Sequence, residues 1–370
     1  MILFWKSNEK HSTIYIYIAF MTVLLSCDKE SLQQEGAGDF VSFYVSDKNF
    51  ADEGTKAIME DTQTLLALKP TLYVCDLAGI NRQDQNPIKG LQVNFNNNYN
   101  LWRSNRTWAN QEYEFYGYIL SPGKVGNNTN GASVSLVNSY QGNLGHCVDL
   151  YQPTTYIDDE DAWSDYLLSY RVSVQGKNKP LVRMEMERIT SGVELYISTP
   201  EGAQAVVESI TFSNVSRCMR YTIAEHAISN PNLSGIRHKW VYQNISGASN
   251  TKVNYTRSAN NSSSWFTVEE KADEDSRFDP KFRMMRFITV PQDVTGTLTV
   301  VYRVNETNQT DKTNWTQYTA SFDLSQTAVT RWELGRKTRY YISLDTAVDL
   351  EGVIADWVDI DYMEGTFLPM

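Results

Sequence analysis

Histidine and cysteine are scarce in this 370-residue chain, at four of each, and most side-chain chemistry is excluded with them. Past residue 26 only His146, His226 and His238 remain. No HExxH, GxSxG or Walker-type glycine loop occurs, so no zinc-protease, serine-hydrolase or nucleotide-binding motif is offered. His146 stands beside Cys147 without a ligand pair at useful spacing, and packing is the plainer account. Cys75, Cys147 and Cys218 are widely separated and form no CxxC, which argues against a zinc knuckle or a dense disulfide framework. One bridge with a buried free thiol, or three buried reduced cysteines, both remain open. No cofactor, no metal and no catalytic activity are expected.

An excess of basic charge is also missing. The formal net charge is −11, so the electrostatic footprint of a nucleic-acid binder is absent and nucleic acid is excluded as a partner. The acidic stretch Asp158–Asp161, with Asp165 beyond it, lacks the glycine and alternating spacing of an EF-hand loop and reads as a solvated loop. Helical periodicity is nearly absent, with Glu60–Leu68 the one stretch that suggests it.

What is present starts near the amino terminus. Ile14–Ser26 is uncharged, and Lys6 and Lys10 lie just upstream. That is the layout of a secretory signal, too short for a membrane span of ~20 apolar residues. Leu24-Leu25-Ser26-Cys27 matches the bacterial lipobox. This resemblance implies cleavage after residue 26 and lipidation of Cys27, with residues 27–39 as a polar tether. An ordinary cleaved signal with an incidental cysteine is the alternative. Since one acyl chain binds a membrane only marginally, stable anchoring takes two or more.

Beyond the tether, apolar residues alternate with polar ones, as half-buried strands require. Tyr166, Leu168, Tyr170, Val172 and Val174 share one predicted face; Leu298, Val300, Tyr302 and Val304 share another, as do Tyr340, Ile342 and Leu344. Further strands are expected at Phe40–Val45, Thr71–Cys75, Leu91–Phe95, Glu112–Ile119, Val182–Ile189, Val193–Ser198 and Val206–Phe212. Clusters of Asn, Gly and Ser between them are turn signals, because these residues tolerate positive φ or bond locally to backbone. Many short strands argue for antiparallel β-sandwiches. A polar turn at Gly176–Pro180 suggests two domains, 40–178 and 179–370, each within the usual size range.

Three passages resemble the fimbrillin family of Bacteroidota, subunits of surface pili. Trp108 followed by Tyr113-Glu114-Phe115-Tyr116-Gly117-Tyr118 is similar to the family's aromatic amino-terminal strand, with Gly117 where alanine is usual. Leu181–Ile189, Val193–Ile197 and Val207–Phe212 resemble the three strands that open its second half. Trp332–Ile342, then Ile354-Ala355-Asp356-Trp357, resemble its closing motifs.

The resemblance implies two transthyretin-like β-sandwich domains. It also implies a structural or adhesive fimbrial subunit (stalk, anchor or accessory), held in the outer membrane by its lipid and exposed at the surface. Its partners would be other fimbrial subunits and a host or bacterial surface ligand. In polymerising members a protease removes the first strand after arginine, and another subunit's strand fills the groove. Here Phe40–Val45 is the corresponding strand. The first arginine after Cys27 is Arg82, and only Lys48 and Lys56 lie where a cut should fall. Val358, Ile360 and Tyr362 alternate with Asp359 and Asp361, which marks a candidate donor strand or the last strand of the chain's own domain. The alternative function is a monomeric surface glycan-binding lipoprotein, which an exposed tryptophan pair on one sheet face would favour.

Overall fold

A computed structural model describes residues 39–47, 66, 69–120, 133–137, 147–158, 163, 166–228, 237–243, 251–271, 276–344 and 350–356. The first strands are β1 (Phe40–Asp47), β2 (Leu72–Asp76), β3 (Leu91–Asn96), β4 (Leu101–Thr107) and β5 (Glu112–Leu120), with a short helix α1 (Leu77–Asn81) after β2. Then come β6 (Ser133–Val137), β7 (Cys147–Tyr151), β8 (Tyr166–Ser169), β9 (Val172–Gln175), β10 (Val182–Arg188), β11 (Ser191–Ser198) and β12 (Ala205–Ser216). They are followed by β13 (Cys218–Ile228), β14 (Arg237–Gln243), β15 (Lys252–Ser258), β16 (Phe266–Thr267), β17 (Arg283–Thr289) and β18 (Gln292–Asp293). The last are β19 (Thr297–Val304), β20 (Thr316–Asp323), β21 (Arg331–Trp332), β22 (Arg336–Ser343) and β23 (Leu350–Asp356). The protein is all-β, with almost no helix among the described residues. The stretch Glu60–Leu68 lies outside the described residues except for Leu66.

The first sheet differs from the open sandwich expected. Its strands run β2-β3-β4-β1-β10-β8-β5, and β5 pairs back onto β2, closing a seven-strand, barrel-like ring. Closure depends on β10 lying parallel to β1, with Phe43 opposite Val182 and Val45 opposite Met184. Alternation along either strand gives no hint of so distant a partner. Inside the ring, Val41, Phe43, Val45, Leu72, Val74, Phe115, Leu167, Val182, Met184 and Met186 form one buried cluster.

The predicted face over Tyr166–Val174 also changes partway. Leu168 stands opposite Tyr118 and Val174 opposite Tyr113, a slip of one residue between β8 and β9. Because side chains alternate, a one-residue slip exchanges faces. Tyr166 and Leu168 therefore join a cluster outside the ring, with Met219 and Tyr221. Leu167, Val172 and Val174 instead pack with the interior cluster.

Two further sheets form a sandwich, β17-β11-β22-β23 and β15-β12-β19-β20, with β16 on the flank of β12. Leu195, Phe212, Phe287, Val300 and Tyr340 meet in the core between them. A fourth sheet, β14-β13-β7-β6, draws strands from both halves of the chain, and β18 pairs with β21. β10, which follows the polar turn at Gly176–Pro180, belongs to the ring.

Candidate functional site

β1 is the first described strand of the chain and one stave of the closed ring. Its parallel ladder to β10 runs from Phe43 to Asp47. On the other edge, the antiparallel ladder to β4 is interrupted by a register shift between Phe40 and Ser42. Parallel pairing is slightly the weaker kind, so backbone bonding holds this strand less firmly than its neighbours' regular ladders. Side chains supply the rest. Val41, Phe43 and Val45 point inward and are buried, as their alternation predicts. Phe43 meets Phe115 edge to face, and Trp102 on β4 donates its indole N–H to the Pro70 carbonyl at 2.8 Å. The buried Ser104 hydroxyl donates to the Val41 carbonyl at 2.8 Å.

Outside, Phe40 and Tyr44 are exposed. The Arg103 guanidinium lies 4.7 Å from the Phe40 ring centre and 4.2 Å from that of Tyr99. Asp39, at the strand's start, pairs with Lys179, which adopts a left-handed backbone just before β10. The Lys179 ammonium holds the Asp39 carboxyl below its usual value, through its hydrogen bond and then its charge.

Three inward side chains, at ~1.5–3 kcal/mol each, make the seat of β1 worth about 5–9 kcal/mol in apolar burial. That is a large part of a domain's net stability of ~5–15 kcal/mol. With β1 gone, β4 and β10 would present facing rows of unpaired N–H and C=O groups over an apolar floor. Such a groove accepts an extended segment by β-augmentation.

A second concentration of charge lies in the sandwich. Glu194 on β11 is buried and accepts from the Tyr196 hydroxyl at 2.8 Å and Arg339 Nε at 3.2 Å. Arg286 Nε, Lys337 Nζ and Arg283 Nη1 lie 3.4, 3.5 and 3.6 Å from its other oxygen. Burial pushes this carboxyl up, but Lys337, Arg286 and Arg339 together hold it below its usual value. The arrangement ties β11 to β17 and β22 and has no nucleophile or open metal position. Among the described residues, no three His, Cys, Asp or Glu side chains gather as a metal site. The signal was legible in Gly192-Val193-Glu194-Leu195-Tyr196-Ile197, an acidic residue inside an apolar run, which is where a buried ion pair belongs.

Cys27, Lys48, Lys56, Val358, Ile360 and Tyr362 lie outside the described residues, as does His146. β1 ends at Asp47, directly before Lys48, and β23 ends at Asp356, pairing there with Arg336. His226 and His238 fall on the paired strands β13 and β14. Cys75 and Cys218 are free and buried, so neither takes part in a bridge. Asp158 is bound by Arg257 at 2.7 Å. Trp102, Trp163, Trp315 and Trp332 are buried, while Trp108 and Trp265 are half-buried. No exposed tryptophan pair occurs among the described side chains.

No protein-family model matches the sequence, and no curated protein matches it. Among solved structures, Bacteroidota proteins described as fimbrial or adhesion proteins show a distant likeness to this chain. A fimbrial protein from Bacteroides vulgatus shares 13% identity at a TM-score of 0.42, over 86% of this chain and 99% of its own. A Parabacteroides distasonis protein assigned provisionally to cell adhesion shares 8% at 0.44, over 88% and 98%. A fimbrial assembly protein from the same organism shares 9% at 0.29, over 77% and 86%. At these identities and scores the likeness carries no argument about function, which has to be read from the strands of this chain.

Proposed function

We propose that this protein is a structural or adhesive subunit of a cell-surface fimbria, assembled by replacement of its first strand. The observation that carries this reading is the position of β1. It closes a ring, faces Val41, Phe43 and Val45 into the core, and lies at the amino-terminal end of the described chain. A strand so placed can be detached by one cut in the segment beyond Asp47, where Lys48 and Lys56 offer basic sites. Val358, Ile360 and Tyr362 have the alternation needed to refill the seat of β1 in a neighbour, with acidic residues outward. Under this reading the ring and the sandwich are transthyretin-like modules of a pilus subunit. Cys27 carries the lipid that holds the protein at the outer membrane, and the chain is not an enzyme.

Electron microscopy of isolated surface appendages, probed with antibody to this chain, tests the role. Regular labelling along filaments is expected; filaments that form without the chain and never bind the antibody would contradict it. Replacing Cys27 by Ala is expected to release the protein from the membrane fraction, and unchanged partitioning with no acyl chain by mass spectrometry would remove the anchor.

A further inference from the structure

At one end of the sandwich, strand register gathers three connections around a cleft of about 670 Å³. Ala205 stands opposite Val304, Val304 opposite Thr316, and Val206 opposite Thr267. The loops leaving these positions therefore meet, and they line the cleft with Gln204, Glu270, Asn308, Gln309, Lys312 and Trp315. Small-molecule sites run to about 300–1,000 Å³, and this space falls within that range.

The loop between β19 and β20 is braced from within. Asn305 donates to Gln204 Oε1 at 2.7 Å and to the Gln309 carbonyl at 3.2 Å, and it accepts from the Gln309 N–H at 2.8 Å. The buried Trp315 donates its indole N–H to that same carbonyl at 2.9 Å, which fixes its ring against the cleft. Asp311 accepts from the Thr313 N–H at 2.9 Å, closing the turn. Asn308 adopts φ 54°, a conformation asparagine tolerates better than most residues. Such bracing lowers the ordering penalty of binding.

The groups left over define the ligand. Glu270, Asn308 and Gln309 are exposed, and their side chains form no hydrogen bond among the described residues. Glu270 and Lys312 cancel in charge, so an anion finds no net attraction. The amides of Asn308 and Gln309 each pair a donor with an acceptor, as adjacent hydroxyl groups do. Trp315 and Val268 are buried beneath these loops and give the cleft an apolar floor. We infer that this cleft binds a neutral saccharide, recognised by hydrogen bonds from its loops and independently of any exchange of β1.

Saturation-transfer NMR of the full-length protein with lactose, N-acetylglucosamine, mannose and sialyllactose tests this. Asn308→Gly deletes the amide while keeping a residue suited to positive φ, and Glu270→Ala changes an exposed side chain. Tyr99→Ala, in the ring and not among the residues that line the cleft, serves as control, and circular dichroism verifies the fold of all three. At least one neutral sugar is expected to bind, about tenfold more weakly in each cleft variant and unchanged in Tyr99→Ala. No binding by any neutral sugar, binding of sialyllactose alone, or equal binding by parent and cleft variants would each overturn the inference.

Discussion

The ring of Phe43 on β1 meets the ring of Phe115 on β5 edge to face, their centroids 5.4 Å apart and both side chains fully buried. Such pairs add ~0.5–1.5 kcal/mol beyond burial itself. The first described strand is thus fastened to the aromatic strand on the far side of the ring. Phe43→Ala is expected to destabilise the protein by about 3–5 kcal/mol. Tyr44→Ala, one residue on but outward, is expected to change stability by under ~1 kcal/mol. Denaturant midpoints of the two variants measure the contrast, and equal effects would mean that β1 is not held by its inner face.

Glu194 offers a charge test. Its folded value lies below the ordinary 4.5, so its stabilising contribution is complete above that value and fades as pH falls through the folded one. Glu194→Gln leaves buried cations without their counter-charge, at a cost of about 3–5 kcal/mol. The gap in unfolding free energy between parent and variant is expected to be constant near neutrality and to narrow below about pH 4.5. A gap that does not change with pH would contradict this assignment.

The thiols of Cys75 and Cys218 are buried, and burial pushes the Cys75 thiol up to about 11. Only the thiolate reacts readily. Both cysteines are expected to resist iodoacetamide in the folded protein and to be alkylated in full denaturant, as peptide mass mapping would record. Recovery of a bridged peptide containing either one would refute their free state.

Gly117 stands where the resembling family has alanine, and the reason is spatial. A Cβ there would lie 2.8 Å from Met184 Sδ, 3.0 Å from Leu72 Cδ1 and 3.3 Å from the Tyr73 carbonyl. Gly117→Ala is expected to cost ~1–3 kcal/mol through overpacking, read as a lowered melting temperature. A neutral or stabilised variant would show that Met184 yields freely.

Much of this was legible in the amino-acid order, because burial on one face writes itself as alternation. Val41, Phe43 and Val45 face inward, and so do Leu298, Val300, Tyr302, Tyr340 and Ile342. Alternation fails where both faces are covered or the register slips. Ser169 reads as an outward residue, yet it is fully buried and accepts from the Gly117 N–H at 2.7 Å. The slip after it sends Val172 and Val174 into the ring interior. Ring closure was not legible at all, since a strand's sequence encodes its faces and not its neighbour. The cleft at the sandwich end was equally hidden: its loops converge only through the pairing of Ala205, Val304 and Thr316.

Replacement of β1 is tested most directly by cutting the chain behind it. A specific protease site placed after Asp47 allows cleavage of the folded protein, followed by incubation with a labelled peptide spanning Asp39–Asp47. If the seat of β1 is a strand-acceptor groove, the cut protein should keep its β circular dichroism and take up the labelled peptide. A peptide with Phe43→Asp should fail to enter, and without competing peptide the cut protein should form longer species by size exclusion. Cut protein that remains monomeric and binds neither peptide, or that unfolds irreversibly on cleavage, would contradict strand replacement.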